Sequence, residues 1–361
     1  MKKKIKPLRL GDLEIKIPII QGAMGVRVST SSLIGEIANC NCAGTIPSVG
    51  LTDHTEATSD VLPKFLKQGL IEEIKKIRSI TKGIFGVNIM CAASNYEDVV
   101  ETSVNENVDF IVSGAGLPLK LPELTENSSV KIIPIVSSSR VANLIIKKWK
   151  NRYNRFPDAI IIEGPLAGGH LGFSMKDLKN STTDNLEKIL LEVIGIVEGY
   201  GKEILKKIPI IVAGGIFNGK DIAKFLQLGA IAVQMATRFV TTFECSVAEE
   251  FKNMYINATD KDLLIIDSPV GLPGRVIKTP FIEAMLEEKK ANFSCSYKCL
   301  KTCDPSKVSY CIAKALLNAA DGNIKDSVVF AGSNVSKIKE IIHVKDLITQ
   351  IVEEAEMELN T

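Results

Sequence analysis

Several kinds of residue are scarce in this sequence, and each shortage removes a class of protein. There is one Trp and three His in 361 residues, and aromatics make up only 6%. No apolar run approaches the ~18 residues needed to span a bilayer. Lys2, Lys3, Lys4 and Lys6 are followed by no apolar core, so they do not read as a secretory signal. An excess of one charge is missing too: 44 Lys+Arg against 42 Asp+Glu leaves +2. That balance lacks the basic footprint of a nucleic-acid binder. The eight cysteines contain no C-x-x-C pair, and without a secretory signal they read as reduced thiols. The expectation is a soluble, cytoplasmic protein with neither a nucleic-acid nor a membrane partner.

Aliphatic residues are abundant. The hydrophobic share is 45%, dominated by Ile, Leu and Val, which suits strands buried on both faces. Short apolar runs recur at 17–20, 43–46, 84–89, 110–112, 132–136, 159–162, 208–212 and 230–233, each ending in small or polar residues. Helical patterns lie between them at 31–40, 62–80, 141–150, 186–198 and 219–228. Strict alternation implies a parallel sheet with helices outside, and eight repeats close a (β/α)8 TIM barrel. An open doubly wound sheet would carry one early Gly-rich fingerprint, whereas here glycines follow most runs. The barrel is expected over 1–242 and a helical lid or substrate subdomain over 243–325. The segment 326–361 then returns to the barrel through a helix at 344–356. Within the lid the pattern predicts a helix at 242–258, a Gly- and Pro-rich loop at 267–281 and a cysteine-bearing helical stretch at 295–320.

Two places carry chemistry. Ala213-Gly214-Gly215-Ile216 ends the seventh run, ahead of a helix starting near Asn218, and Gln234-Met235-Ala236-Thr237 ends the eighth. Paired glycines leave backbone amides open to an anion. A helix N-terminus adds partial positive charge, and barrels often hold phosphate after strands seven and eight. Thr237 adds a hydroxyl. A tight turn is the plainer explanation of Gly-Gly. The second place is His170, after Ala167-Gly168-Gly169 at the end of the sixth run. A Gly-Gly turn sets its ring over a cleft, and its near-neutral pKa suits proton transfer. A buried histidine bonded to a carbonyl is the alternative. His54 and His343 lack such settings. Ser113 and Ser137 end strands, facing the pocket or capping helices, and Ser29 and Thr30 most simply cap the next helix. Cys295, Cys299 and Cys303, with Cys311 beyond, would share a helix face. They are expected to be packed, metal-free thiols rather than zinc or iron–sulfur ligands.

Five motifs, taken together and in order, resemble the nitronate monooxygenase (2-nitropropane dioxygenase) family and its relative, FMN-dependent enoyl-ACP reductase II. They are Pro18-Ile19-Ile20-Gln21-Gly22-Ala23-Met24, Gly86-Val87-Asn88-Ile89-Met90, Gly164-Pro165-Leu166-Ala167-Gly168-Gly169-His170, Ala213-Gly214-Gly215-Ile216 and Gln234-Met235-Ala236-Thr237-Arg238-Phe239. The resemblance implies a barrel binding FMN without a covalent link. Gly22, Ala23 and Met24 would line the flavin ring and Asn88 would hydrogen-bond it. Glu163 and Gly168 would sit by the ribityl chain or ring, and Ser137 is a further pocket candidate. Gly214, Gly215, Gln234, Met235, Ala236 and Thr237 would hold the phosphate. The implied reaction is oxidation of alkyl nitronates by O2, with His170 as catalytic base. The alternative is NAD(P)H-dependent reduction of enoyl thioesters or quinones, and a homodimer is compatible with either. This chain departs from the pattern at Glu163 (Gln in many bacterial nitronate monooxygenases, Glu in many enoyl reductases), at Leu166-Ala167 (commonly Glu-Ala), at Ala236 (usually Gly) and in its cysteine-bearing tail.

Overall fold

Runs of β-branched residues set the centre of the molecule. Ile160, Ile161 and Ile162 are fully buried, and only the next residue, Glu163, emerges from the core. Such side chains contribute roughly 1.5–3 kcal/mol each when buried, so a strand apolar on both faces is stable only between two layers. The computed structural model describes residues 4–51, 62–204, 207–287, 293, 295, 299–301 and 303–361. Its central strands are β1 (Ile19–Gln21), β2 (Gly44–Pro47), β3 (Phe85–Met90), β4 (Phe110–Gly114), β5 (Lys131–Val136), β6 (Ile160–Glu163), β7 (Ile210–Ala213) and β8 (Ala232–Met235). Each pairs in parallel with its sequence neighbour from β2 to β8. β8 pairs with β1, placing Val233 opposite Ile19, and an Ile20–Ala43 bridge closes the ring towards β2. The expected (β/α)8 barrel is therefore present.

The barrel interior is filled by Ile20, Phe110, Val112, Ile133, Ile161 and Ile211. A short antiparallel hairpin, Leu8–Leu10 with Leu13–Ile15, adds Leu8, Leu10 and Ile15 to the same cluster. The hairpin plugs the amino end, which leaves the carboxyl end as the open face. Helices Ser31–Asn39, Leu62–Ile80, Tyr96–Asn105, Ser139–Tyr153, Leu186–Ile204 and Gly219–Gln227 surround the ring. Ser138 caps Ser139–Tyr153, and left-handed Asn154 ends it. The tail helix Val344–Glu358 rests on Gly219–Gln227, where a Cβ at Gly219 would stand 2.3 Å from the Ala355 amide nitrogen. No helix among the described residues is long and apolar enough to cross a membrane.

The lid departs from expectation in three places. Residues 267–281 are not a plain loop: Pro273–Ile277 is a strand, paired antiparallel with Leu263–Asp267 and with Val329–Phe330. Pro273 heads its strand, a position that tolerates proline within a sheet, and Gly169–His170 adds a fourth member. A small sheet drawn from 169–170, 263–267, 273–277 and 329–330 therefore stands where helices alone were expected. Of 242–258 only Glu249–Asn257 is helical, because tertiary pairings claim the preceding backbone: Phe243 N–H donates to Ile342 and Ala248 N–H to Ala320. Among the described residues of 295–320, Ile312–Ala320 is helical and the others are not. Leu300 instead bridges Ala93, and the Cys299 carbonyl accepts from the Ser94 amide, so residues 299–301 run alongside 92–94.

Candidate active site

Glycines place the loop after β6. Arg275 stands opposite Gly169 and Gly274 opposite His170. A Cβ on Gly168 would lie 2.4 Å from the Ala331 carbonyl carbon, and Gly169 has φ +80°, so neither position accepts a side chain without strain. The Arg275 guanidinium donates to the Pro165 and Ala167 carbonyls, tying the loop to the lid sheet.

His170 is thereby presented to a cavity of ≈ 260 Å³ at the carboxyl ends of the strands. Its Nε2 is 2.7 Å from Ser268 Oγ, and the Phe330 ring meets it edge-on at 4.8 Å. Nδ1 has no hydrogen-bond partner among the described residues. Burial pushes the imidazole down to about 4, so the ring is neutral at physiological pH. Tyr255, from Glu249–Asn257, also lines the cavity and donates its hydroxyl to the Phe330 carbonyl. Ser268, Phe330 and Tyr255 were not visible as site residues in the sequence. The lid sheet and a helix packing assemble them around His170, and only the turn composition of Ser268-Pro269-Val270-Gly271 hinted at one.

Ala23, Met24, Asn88, Glu163 and Gly168 line the same cavity. The loop carrying Ala23 and Met24 is braced by buried Ser29, whose Oγ accepts from the Met24 amide (3.0 Å) and from Gln21 Nε2 (2.8 Å). Ser29 is thus a loop brace; Thr30 is the N-cap residue, without a side-chain capping bond. The Asn88 amide group and the Glu163 carboxyl make no hydrogen bond to the described residues. Burial raises Glu163 to about 7. Gly22 lies beneath this surface, its amide bonded to the Met235 carbonyl and its Cα face against Gln234. Ser137 lines neither this cavity nor the next; it sits against Gly172. Ser113 is buried, donating to the Ile89 carbonyl.

A second, smaller hollow adjoins Glu163 and Gly168. It is lined by Gly214, Gly215, Gln234, Met235, Ala236 and Thr237 from the ends of β7 and β8. Gly214 and Gly215 have φ +92° and +85°, and a Cβ on Gly214 would stand 2.9 Å from the Gly164 carbonyl oxygen. This cradle has the dimensions and backbone character that suit a phosphate. The helix beyond it contributes less than expected. Its first amides are already taken: Phe217 and Asn218 donate to Asp221, Asp221 to Asn218 and Gly219 to Glu354. The cradle instead gains a cover that the sequence reading missed. Gly332 N–H donates to Thr237 Oγ1 (3.0 Å), leaving the hydroxyl proton for a ligand, and Asn334 Nδ2 donates to the Gly215 carbonyl (2.6 Å). The Gly-Ser-Asn composition of 332–334 was the available signal.

The remaining candidates fall elsewhere. His343 Nδ1 lies 3.0 Å from Glu244 Oε1 on the outer surface, and His54 lies outside the described residues. Cys295, Cys299, Cys303 and Cys311 are free thiols on the lid. Among the described residues no group of three or more His, Cys, Asp or Glu is arranged to hold a metal ion.

Comparison with known proteins places this geometry. The chain is 27% identical over 277 residues to a Mycobacterium tuberculosis 5-hydroxy-7a-methyl-1-oxo-octahydro-1H-indene-4-carboxyl-CoA dehydrogenase, covering 77% of this chain and 67% of that protein. It is 26% identical over 305 residues to a probable nitronate monooxygenase of Staphylococcus aureus, covering 76% of this chain and 78% of the other. The solved structure of FabK from Thermotoga maritima superposes with a TM-score of 0.74 at 26% identity, covering 95% of this chain and 94% of FabK. A family model for nitronate monooxygenase matches residues 6–354, so the chain belongs to the nitronate monooxygenase family of oxidoreductases.

Proposed function

We propose that this chain binds FMN without a covalent link and oxidises alkyl nitronates with dioxygen, His170 acting as base towards the neutral nitroalkane. The observation that carries this reading is the neutral His170 ring. One nitrogen is engaged with Ser268 and the other is open to the cavity. Gly214, Gly215, Gln234, Met235, Ala236 and Thr237 would hold the phosphate, with Glu163 and Gly168 towards the polyol. Ala23, Met24 and Asn88 would hold the ring, over Gly22. FMN in that place supplies the electron transfer from ionised substrate to dioxygen.

The protein's own part is proton handling and orientation. In the tautomer that carries its proton on Nε2, shared with Ser268 Oγ, His170 offers a lone pair on Nδ1 to the acidic C–H of a nitroalkane. Imidazolium is disfavoured in these surroundings, so the proton is accepted only against the negative charge forming on the substrate beside it. A preformed nitronate bypasses that step and needs only orientation.

A second reading, NAD(P)H-dependent reduction of enoyl thioesters, is favoured by the likeness to FabK along nearly the whole chain. Quinones are an alternative acceptor in that reading. One experiment separates the two. Purified protein should release unmodified FMN on acid treatment. Mixed anaerobically, its flavin should bleach with ethyl nitronate and stay oxidised with NADH or NADPH. Fast bleaching by a nicotinamide would replace the first reading with the second.

A further inference from the structure

A side chamber of ≈ 90 Å³ adjoins the central cavity at His170. The two spaces share Val26, Ser48, Val49, Met90 and Leu316 as well as His170, so they lie side by side at that residue. The outer wall comes from the lid: Val270, Leu300, Ile312, Ala313, Leu316 and Leu317. No charged side chain lines the chamber among the described residues, and apart from His170 its polar groups are Ser48, Asn95 and the Cys299 thiol. An apolar space beside a proton-handling residue suits one type of occupant, a short hydrocarbon arm attached to the reacting carbon.

We propose that this chamber measures the alkyl arm of the substrate and that Ala313 sets its depth; the proposal rests on the assignment of His170 to the reacting carbon. A dry cavity of about 150 Å³ holds benzene, or about 25 Å³ per carbon. On that scale the chamber takes an arm of about three to four carbons. Each methylene that enters it strengthens binding by about fourfold, until the chamber is full. Ala313 is half-buried on Ile312–Ala320 with its methyl towards this space. A leucine there adds three carbons, enough on the same scale to occupy nearly all of it.

The test uses the FMN-loaded protein and two series. One is turnover of straight-chain nitronates from nitroethane to nitrooctane; the other is calorimetric binding of straight-chain carboxylates, which carry a similar planar anion but do not react. Expected is a rise of about fourfold per methylene in kcat/KM and in affinity, levelling once the arm beyond the α-carbon reaches three to four carbons. In Ala313→Leu, with bound FMN and melting temperature checked, both series should flatten. Length-independent carboxylate binding, or a slope that survives in Ala313→Leu, overturns the proposal. The two readouts separate this inference from the reaction assignment. If nitronates are not turned over but carboxylate binding keeps its slope and plateau, the reaction assignment fails while the chamber stands. If nitronates are turned over with no length dependence, the chamber fails alone.

Discussion

The two ends of the site are built on different principles. The cradle after β7 and β8 consists mainly of backbone: two left-handed glycines, the turn into Thr237 and a single hydroxyl. The His170 end depends on side chains drawn from distant segments, with Ser268, Phe330 and Tyr255 around one imidazole. Backbone recognition is fixed once the strands pair, and it tolerates no added atoms. Side-chain recognition can be tuned through protonation and depends on the lid being docked. The cradle should therefore fail sharply under steric change, whereas the His170 end should lose rate by degrees.

The largest effect expected is at the cradle. Gly215→Asp forces a side chain where φ is +85° and Leu166 Cβ would stand 3.0 Å away, and it would set a carboxylate against the phosphate proposed for this hollow. The purified variant should lack flavin absorbance altogether; full flavin content would move the phosphate site elsewhere.

At the other end, His170→Asn should retain flavin but lose about 10²–10⁴-fold in turnover of neutral nitroalkane. With preformed nitronate the loss should be markedly smaller; equal losses on both would make His170 an orienting group rather than a base. The neutral ring also sets a pH expectation. A base works unprotonated, and His170 is held down at about 4. Its contribution to kcat/KM on nitroalkane should persist well below the usual imidazole midpoint and fade only as pH falls towards 4. A midpoint near 6.5 would contradict the burial described here.

Smaller effects should sharpen the contrast. Ser268→Ala removes one neutral hydrogen bond, worth about 1 kcal/mol or roughly fivefold. That loss should appear in kcat on nitroalkane and leave flavin affinity unchanged. Glu163 touches both hollows, and burial raises it to about 7. Its charge develops as pH rises through that value, beside the place proposed for an anionic cofactor. Flavin affinity, followed by fluorescence titration, should weaken a few-fold from pH 6 to pH 8 relative to Glu163→Gln. A wild-type profile parallel to the variant's would place the carboxyl away from the cofactor.

The barrel was legible because its signal is local. Eight apolar runs ending in small residues predict the eight strands to within a few residues, and 62–80 coincides with Leu62–Ile80. Asn88, Glu163 and Gly214, named through the family resemblance, lie at strand ends and line the hollows at the carboxyl face. Legibility ended where tertiary pairing overrides local pattern. The Gly/Pro-rich stretch that reads as a loop becomes a strand because Gly274 and Arg275 find partners in Gly169 and His170, far away in sequence. The evenly spaced cysteines mimic a helix face, but around Cys299 the chain pairs with Ala92 and Ser94 instead. Ser137 follows its strand as expected, yet it sits against Gly172 instead of the pocket.

The clasp of 332–334 over the cradle bears on the order of events during synthesis. Gly332 and Asn334 lie about a hundred residues downstream of the partners they bond, Thr237 and Gly215. A nascent chain can close its ring of strands while this clasp is still inside the ribosome. A barrel released at that stage would have the floor of the cradle but no cover. The covered form arises only after the segment carrying Gly332 and Asn334 has folded back, so on this architecture the complete cradle is a late product of folding.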